Sequence, residues 1–260
     1  MTLVDDHLAP TLVLLPGLDG TGILFRRFAT ALAASFETQI VAYPTDRPLG
    51  YPELEALVRE AVPRDRPFVV LGESFSGPIA IRLGAGPPPG MVGLILGVTF
   101  AKNPYPSLSW AGALARSLPL DALPSWVKGP FLWGSSSTER DRLQRELASA
   151  VVGNDVLRHR VASVLAVDET ASLAHVQMPT LVLHASDDRV VPRAATEHIM
   201  RTLPSAQLAE IRGPHMLLQI RAAECAAAVR GFMEMLPLRG ALAEAGLPQR
   251  RRSLIGQGRA

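Results

Sequence analysis

The chain reads as an α/β protein whose mostly parallel sheet of about six strands is flanked by helices. Three observations predict this. Short apolar runs alternate with segments of helical period from residue 11 to about residue 100, and such alternation demands crossover connections and parallel strands. Three apolar runs end in polar loops rich in reactive side chains: Gly72-Glu73-Ser74, Ser186-Asp187-Asp188 and Gly213-Pro214-His215. A long interval, Ala101 to Met178, then breaks the alternation and reads as mostly helical.

The elements follow in order. The first strand is Thr11-Leu12-Val13-Leu14-Leu15, stopped by Pro16-Gly17. A helix over 23–33 and a strand over 38–42 come next, then a helix over 52–62 with proline in its first turn, where a missing N–H costs nothing. Phe68-Val69-Val70-Leu71 forms a strand that runs into Gly72-Glu73-Ser74-Phe75-Ser76-Gly77 and a helix through 79–83. A strand over 91–98 precedes the long interval. Strands at 180–184 and Gln207–Ile211 follow, and a helix over 216–235 closes the fold. The organisation expected is a core of 1–100 and 176–237, a helical cap of 101–175, and a flexible basic tail of 238–260.

Composition bounds the function. With 260 residues, 48% of them hydrophobic, the chain can bury a large core. Its 26 basic and 24 acidic residues leave a net charge of +2, which implies no general nucleic-acid binding. The one cysteine, Cys225, cannot form an internal disulfide and reads as a buried helix thiol in a reducing compartment. The first ten residues lack the order of a secretory leader and no stretch approaches a membrane span, so a cytoplasmic location is expected. Neither repeats nor zinc-like His/Cys spacing occur, and His159, His175, His184 and His198 read as ordinary histidines.

The strand-turn-helix around Ser74 is a nucleophile elbow: a serine on so sharp a turn projects its hydroxyl clear of both elements. Ser76 stands where a glycine is usual, and being small it keeps the close helix-strand approach plausible. It is not itself the nucleophile, since it has no glycine two places before it and Pro78 follows. Downstream, a carboxylate (Asp187 or Asp188) and then His215 each follow a strand. The order Ser, Asp, His supplies a nucleophile, a base to take its proton and an acid to orient the base. The glycines at 17, 20 and 22 do not make a dinucleotide fingerprint and no P-loop lysine follows, so they serve tight turns.

With "LVLHASDDRVVP" and "GPHMLLQ" as acid and histidine segments, the chain resembles the α/β-hydrolase superfamily over nearly its whole core. The resemblance implies the α/β-hydrolase fold with a helical cap inserted after the sixth family strand, and no metal or organic cofactor. The family commonly begins with an antiparallel hairpin that ten leading residues cannot hold. The acid four residues before the strand-following proline is Asp188, with Asp187 as runner-up. The resemblance also places oxyanion donors on the backbone amides of Leu18, in a loop where proline replaces the usual histidine, and Phe75. Asp19 of that loop and Trp110, Trp126, Phe131 and Trp133 of the cap are the substrate-binding candidates, lid-core packing being the competing reading of each tryptophan.

The expected activity is that of a serine esterase on short- to medium-chain acyl esters. Pro16-Gly17-Leu18-Asp19-Gly20-Thr21-Gly22 also resembles the opening loop of plastid acyltransferases, which keeps transfer to an alcohol open. Esterases acting on pimeloyl methyl ester of acyl carrier protein resemble the chain in size, triad order and lid. Arg140, Arg142, Arg145, Arg158 and Arg160 read first as a solvated helix face, and by that resemblance an acyl carrier protein docking on them is a second candidate partner. A non-catalytic ligand-binding member of the fold is the least favoured reading, because competent residues occupy all three positions.

Overall fold

A computed structural model describes residues 9–108 and 152–237. Six strands, β1 (Thr11–Leu15), β2 (Thr38–Ile40), β3 (Phe68–Glu73), β4 (Met91–Gly97), β5 (Thr180–Ala185) and β6 (Gln207–Ile211), form one sheet in the order β2-β1-β3-β4-β5-β6, and every neighbouring pair is parallel. The α/β-hydrolase sheet expected from the sequence is therefore present.

Each strand's alternation divides the core in two. From β1, β3 and β5, Val13, Leu15, Val70 and Val182 face one side with Leu54 and Val58 of α2 (Tyr51–Ala61) and Ile79 and Leu83 of α3 (Gly77–Ala85). Leu12, Leu14, Val69, Leu71, Leu181 and Leu183 face the other, with Phe28 and Leu32 of α1 (Arg26–Leu32). Burial on both faces is why these strands are continuous apolar runs. The edge strands β2 and β6 are more exposed.

Four further helices complete the described chain before its last one. They are α4 (Asn154–Ala166), α5 (Thr170–Ala174), α6 (Arg193–Thr202) and the one-turn α7 (Leu217–Ile220), and α8 (Ala222–Glu234) follows. The continuous helix expected over 216–235 is two, broken at Arg221 (φ −113°, ψ 40°). Helix α6 fills an interval where the sequence reading has none. Its buried residues, Thr196 and Ile199, are spaced for one face of a helix whose mean character is polar. Cys225 is buried in α8, and burial pushes its thiol up to about 12. Arg82 of α3 bridges Glu55 of α2 and Glu169 at the start of α5, joining three helices on one face. Among the described residues, no helix is long and apolar enough to cross a membrane. The cap interval lies mostly outside them, at 109–151, as does the tail.

The chain leaves β1 toward β2 on one side and reaches β3 on the other. The carboxyl ends of β1 and β3, registered with Leu15 beside Gly72, thus flank the point where strand order reverses, where such sheets open a crevice. At that end of β3 the backbone is tightly placed. A Cβ on Gly72 would lie 2.6 Å from the Ala80 Cβ and 2.7 Å from the Ser76 carbonyl oxygen. One residue on, Glu73 is buried and accepts a 2.8 Å hydrogen bond from Gln219 Nε2 of α7. Burial raises its pKa to about 7, against the opposing pull of that hydrogen bond and of His215.

Two outcomes follow from this packing. Gly72→Ala should cost about 2 kcal/mol through overpacking, read as a lower urea midpoint at unchanged slope. For Glu73, the unfolded chain ionises near the ordinary value of 4.5 while the folded chain holds its proton to about 7. Stability contributed by the buried acid is thus lost as pH rises through that window. The stability of Glu73→Gln relative to the parent should climb between pH 4.5 and 7, by on the order of 3 kcal/mol, and then level off in urea titrations across pH.

Candidate active site

Three loops at the carboxyl edge of the sheet converge. Ser74 opens a 3₁₀ turn between β3 and α3 with φ 49°, in the left-handed region that non-glycine residues rarely occupy. Neighbouring groups hold it there: Thr99 Oγ1 donates to the Ser74 carbonyl. Gly77 is so close to Thr99 that a Cβ would overlap it. Ser74 Oγ lies 2.9 Å from His215 Nε2, and His215 Nδ1 lies 2.8 Å from Asp188 Oδ2.

The acid is itself fixed. Asp188 Oδ1 accepts the N–H groups of Val190 at 2.8 Å and Val191 at 2.9 Å, which leaves Oδ2 for the imidazole. The acid and histidine loops are stitched together by Ser186 N–H to Ile211 O (3.1 Å) and Asp187 N–H to Gly213 O (3.0 Å). Asp187 points outward, its side chain 59% exposed and 3.9 Å from Arg212. The structure therefore brings Asp188, and not its neighbour, to His215.

Leu18 and Phe75 both line the cavity beside Ser74. Phe75 is the second residue of the 3₁₀ turn, where first-turn amides lack an intrahelical acceptor. In the turn after β1, Gly20 N–H donates to Gly17 O at 3.0 Å, and Gly20 O accepts from Tyr43 N–H at 2.7 Å. Asp19 also lines the cavity, but one carboxylate oxygen is held by the backbone N–H and hydroxyl of Thr21.

Three features of the site escape the sequence reading. Ser76 is more than a tolerated small residue. Its hydroxyl donates to Pro16 O at the end of β1 and accepts from Tyr43 O–H at 2.7 Å, linking elbow, first loop and second loop. Burial raises the Tyr43 pKa and keeps that phenol a donor. Glu73 reaches the histidine side through Gln219. Finally, Arg160 is only 1% exposed, which corrects the reading of Arg158 and Arg160 as part of one solvated face. The signal available is helical spacing: Val156, Arg160 and Val164 form one stripe of α4, and Val156 is buried too. Arg158 pairs with Asp155 at 2.9 Å, and Arg140, Arg142 and Arg145 lie outside the described residues.

A cavity of about 560 Å³ opens on Ser74. Its lining includes Leu157, Val161, Val164 and Leu165 of α4 and Val190 and Val191 of the acid loop. These aliphatic residues were not among the expected substrate contacts. Trp110, Trp126, Phe131 and Trp133, which were, lie outside the described residues. Among the described residues no cluster of His, Cys, Asp and Glu could hold a metal ion.

Comparison with known proteins agrees with this architecture. The enol-lactonase of Burkholderia xenovorans LB400 superposes with a TM-score of 0.74 at 18% identity, over 89% of this chain and 94% of that one. RutD of Stutzerimonas stutzeri, named as a carbamate hydrolase, is 26% identical over 222 residues, 77% of this chain and 82% of that protein. Polyketide synthase ThaQ of Burkholderia thailandensis is 25% identical over 226 residues, 78% of this chain, which spans only 11% of the synthase's length. The family model of the serine aminopeptidases, S33, matches residues 53–217, from α2 through the elbow and acid loop to just beyond His215. Over more than half of its length the chain thus follows one family's pattern, and it belongs to the S33 serine aminopeptidase family of α/β hydrolases.

Proposed function

We propose that this hydrolase is a serine esterase cleaving carboxylic esters of short- to medium-chain acyl groups through an acyl-enzyme. The observation that carries the reading is the hydrogen-bonded chain Ser74, His215, Asp188 opening on an aliphatic cavity. Ser74 Oγ attacks the ester carbonyl carbon while His215 Nε2 takes its proton. Asp188 holds the imidazole in the tautomer with the proton on Nδ1 and stabilises the imidazolium. The tetrahedral oxyanion is met by the Leu18 and Phe75 N–H groups. Collapse breaks the bond to the alcohol oxygen, which leaves with the proton from Nε2. Water then repeats the sequence on the acyl-enzyme, with His215 as base, and releases the acid and free Ser74.

The acyl preference rests on the cavity wall. Leu157, Val161, Val164 and Leu165 offer apolar contact and no hydrogen bond from their side chains, so selection there is by chain length and shape. One relative is named as a carbamate hydrolase, and a carbamate, like an ester, is a carbonyl compound open to attack at carbon, which supports the acyl reading.

Hydrolysis of p-nitrophenyl esters from acetate to laurate tests the reading. Ser74→Ala should lower kcat/KM by about 10⁴-fold or more. Asp188→Asn should lower kcat by about 10³- to 10⁴-fold, whereas Asp187→Asn should stay within about twofold, as expected for an exposed side chain off the relay. A folded parent with no Ser74-dependent turnover would refute the esterase reading. Separately, Val161→Phe should move the optimum to shorter acyl chains, cutting laurate turnover at least about tenfold with acetate little changed. An unaltered chain-length profile would remove α4 from the acyl site.

A further inference from the structure

Arg160 is a buried cation with no carboxylate in hydrogen-bond contact among the described residues. Its Nη1 donates to Leu18 O at 2.9 Å and Asp19 O at 2.8 Å, and its Nη2 to Pro44 O at 2.9 Å. The guanidinium also lies 5.8 Å from the Tyr43 ring centroid and 5.9 Å from that of Phe75. The Asp19 carboxylate is turned to Thr21 instead. Gly20, at φ 73°, has no Cβ because one would overlap the guanidinium.

With Gly17 O and Gly20 O already bonded within the loop layer, Arg160 completes the set: four consecutive carbonyls, from residue 17 to 20, each accept a hydrogen bond. A trans peptide directs its N–H opposite its carbonyl. The Leu18 N–H shares its peptide with Gly17 O, held by Gly20 N–H, and the next two peptides carry Leu18 O and Asp19 O, held by Arg160; the guanidinium thus fixes the two peptides that follow this amide, which has no acceptor among the described residues. The planar fork matters, because one guanidinium reaches three carbonyls that a single ammonium cannot span in the same geometry. Arg160 also stands on α4, whose Leu157, Val161 and Val164 wall the cavity.

We infer that Arg160 is the positioning residue of the oxyanion site, holding the 17–20 turn so that the Leu18 N–H meets the substrate oxygen and tying that turn to the helix that contacts the acyl chain. The inference rests on the esterase reading, and two comparisons keep them separable. Ser74-dependent turnover by the parent establishes the reading; the Arg160 variants then test this role alone.

Arg160→Met keeps side-chain length and removes every donor. It should lower kcat by about 10²-fold, the scale of losing one oxyanion donor, with KM changed less than about threefold. The inhibition constant of an alkyl trifluoromethyl ketone, which forms the oxyanion on Ser74, should rise in step with the loss in kcat/KM. Binding of the matching alkyl alcohol, which forms none, should hold. Arg160→Lys should recover only part of kcat and carries the same test if the methionine variant does not fold. Unchanged kcat and ketone affinity in a folded variant would overturn the inference. So would parallel loss of ketone and alcohol binding, which marks a role in packing the cavity.

Discussion

Everything at the carboxyl edge of this sheet depends on holding Ser74 in a left-handed backbone conformation, φ 49°. A serine there costs of order 1–3 kcal/mol and persists only when its surroundings over-determine it. They do so from every side. Gly72 leaves room for the returning chain, Gly77 lets Thr99 approach, and Thr99 captures the Ser74 carbonyl. The two central strands are buried on both faces, so the elbow has no soft direction in which to relax. The strain places the hydroxyl 2.9 Å from His215 Nε2, a distance neither residue's own strand would produce.

A sheet edge supplies loops but not their mutual registry, and here buried polar contacts supply it. Ser76 ties the elbow to Pro16 at the end of β1 and to Tyr43 after β2. Glu73 ties the same strand to Gln219 beyond His215. Backbone hydrogen bonds join the acid and histidine loops directly. The side-chain contacts radiate from Glu73 and Ser76, so the elbow acts as a hub against which those loops are set. The raised pKa of Glu73, about 7, is the cost of seating a hub residue out of water.

The fold was legible because its causes are local. Runs such as 68–72 and Met91–Gly97 are apolar throughout since both faces are covered, and punctuation by Pro, Gly and Asp marks where they end. The order Ser74, Asp188, His215 was legible for the same reason: each side chain follows its own strand. Choosing Asp188 over Asp187 needed a family pattern, because only three-dimensional placement distinguishes adjacent acids. Helix α6 was missed because its mean character is polar, with only Thr196 and Ile199 buried. From the sequence, Ser76 reads as a tolerated variant and Arg160 as a solvated cation, and Glu73 carries no reading of its own. Their partners lie 33 to 146 residues away in sequence, and nothing local announces such contacts.

The identity of residue 160 poses a sharper question, since replacing a buried charge by an apolar side chain of similar volume is often neutral or stabilising. That substitution works when the partners of the charge are replaced with it. Here the partners are main-chain carbonyls at Leu18, Asp19 and Pro44, which no substitution removes. An apolar residue would leave three acceptors without donors, at about 1–3 kcal/mol each. A lysine could satisfy them only by distorting the turn. The carbonyls of Leu18 and Asp19 in the loop after β1 turn toward Arg160 of α4. A helix in that position needs a multidentate donor that never loses its proton, and arginine alone has both properties.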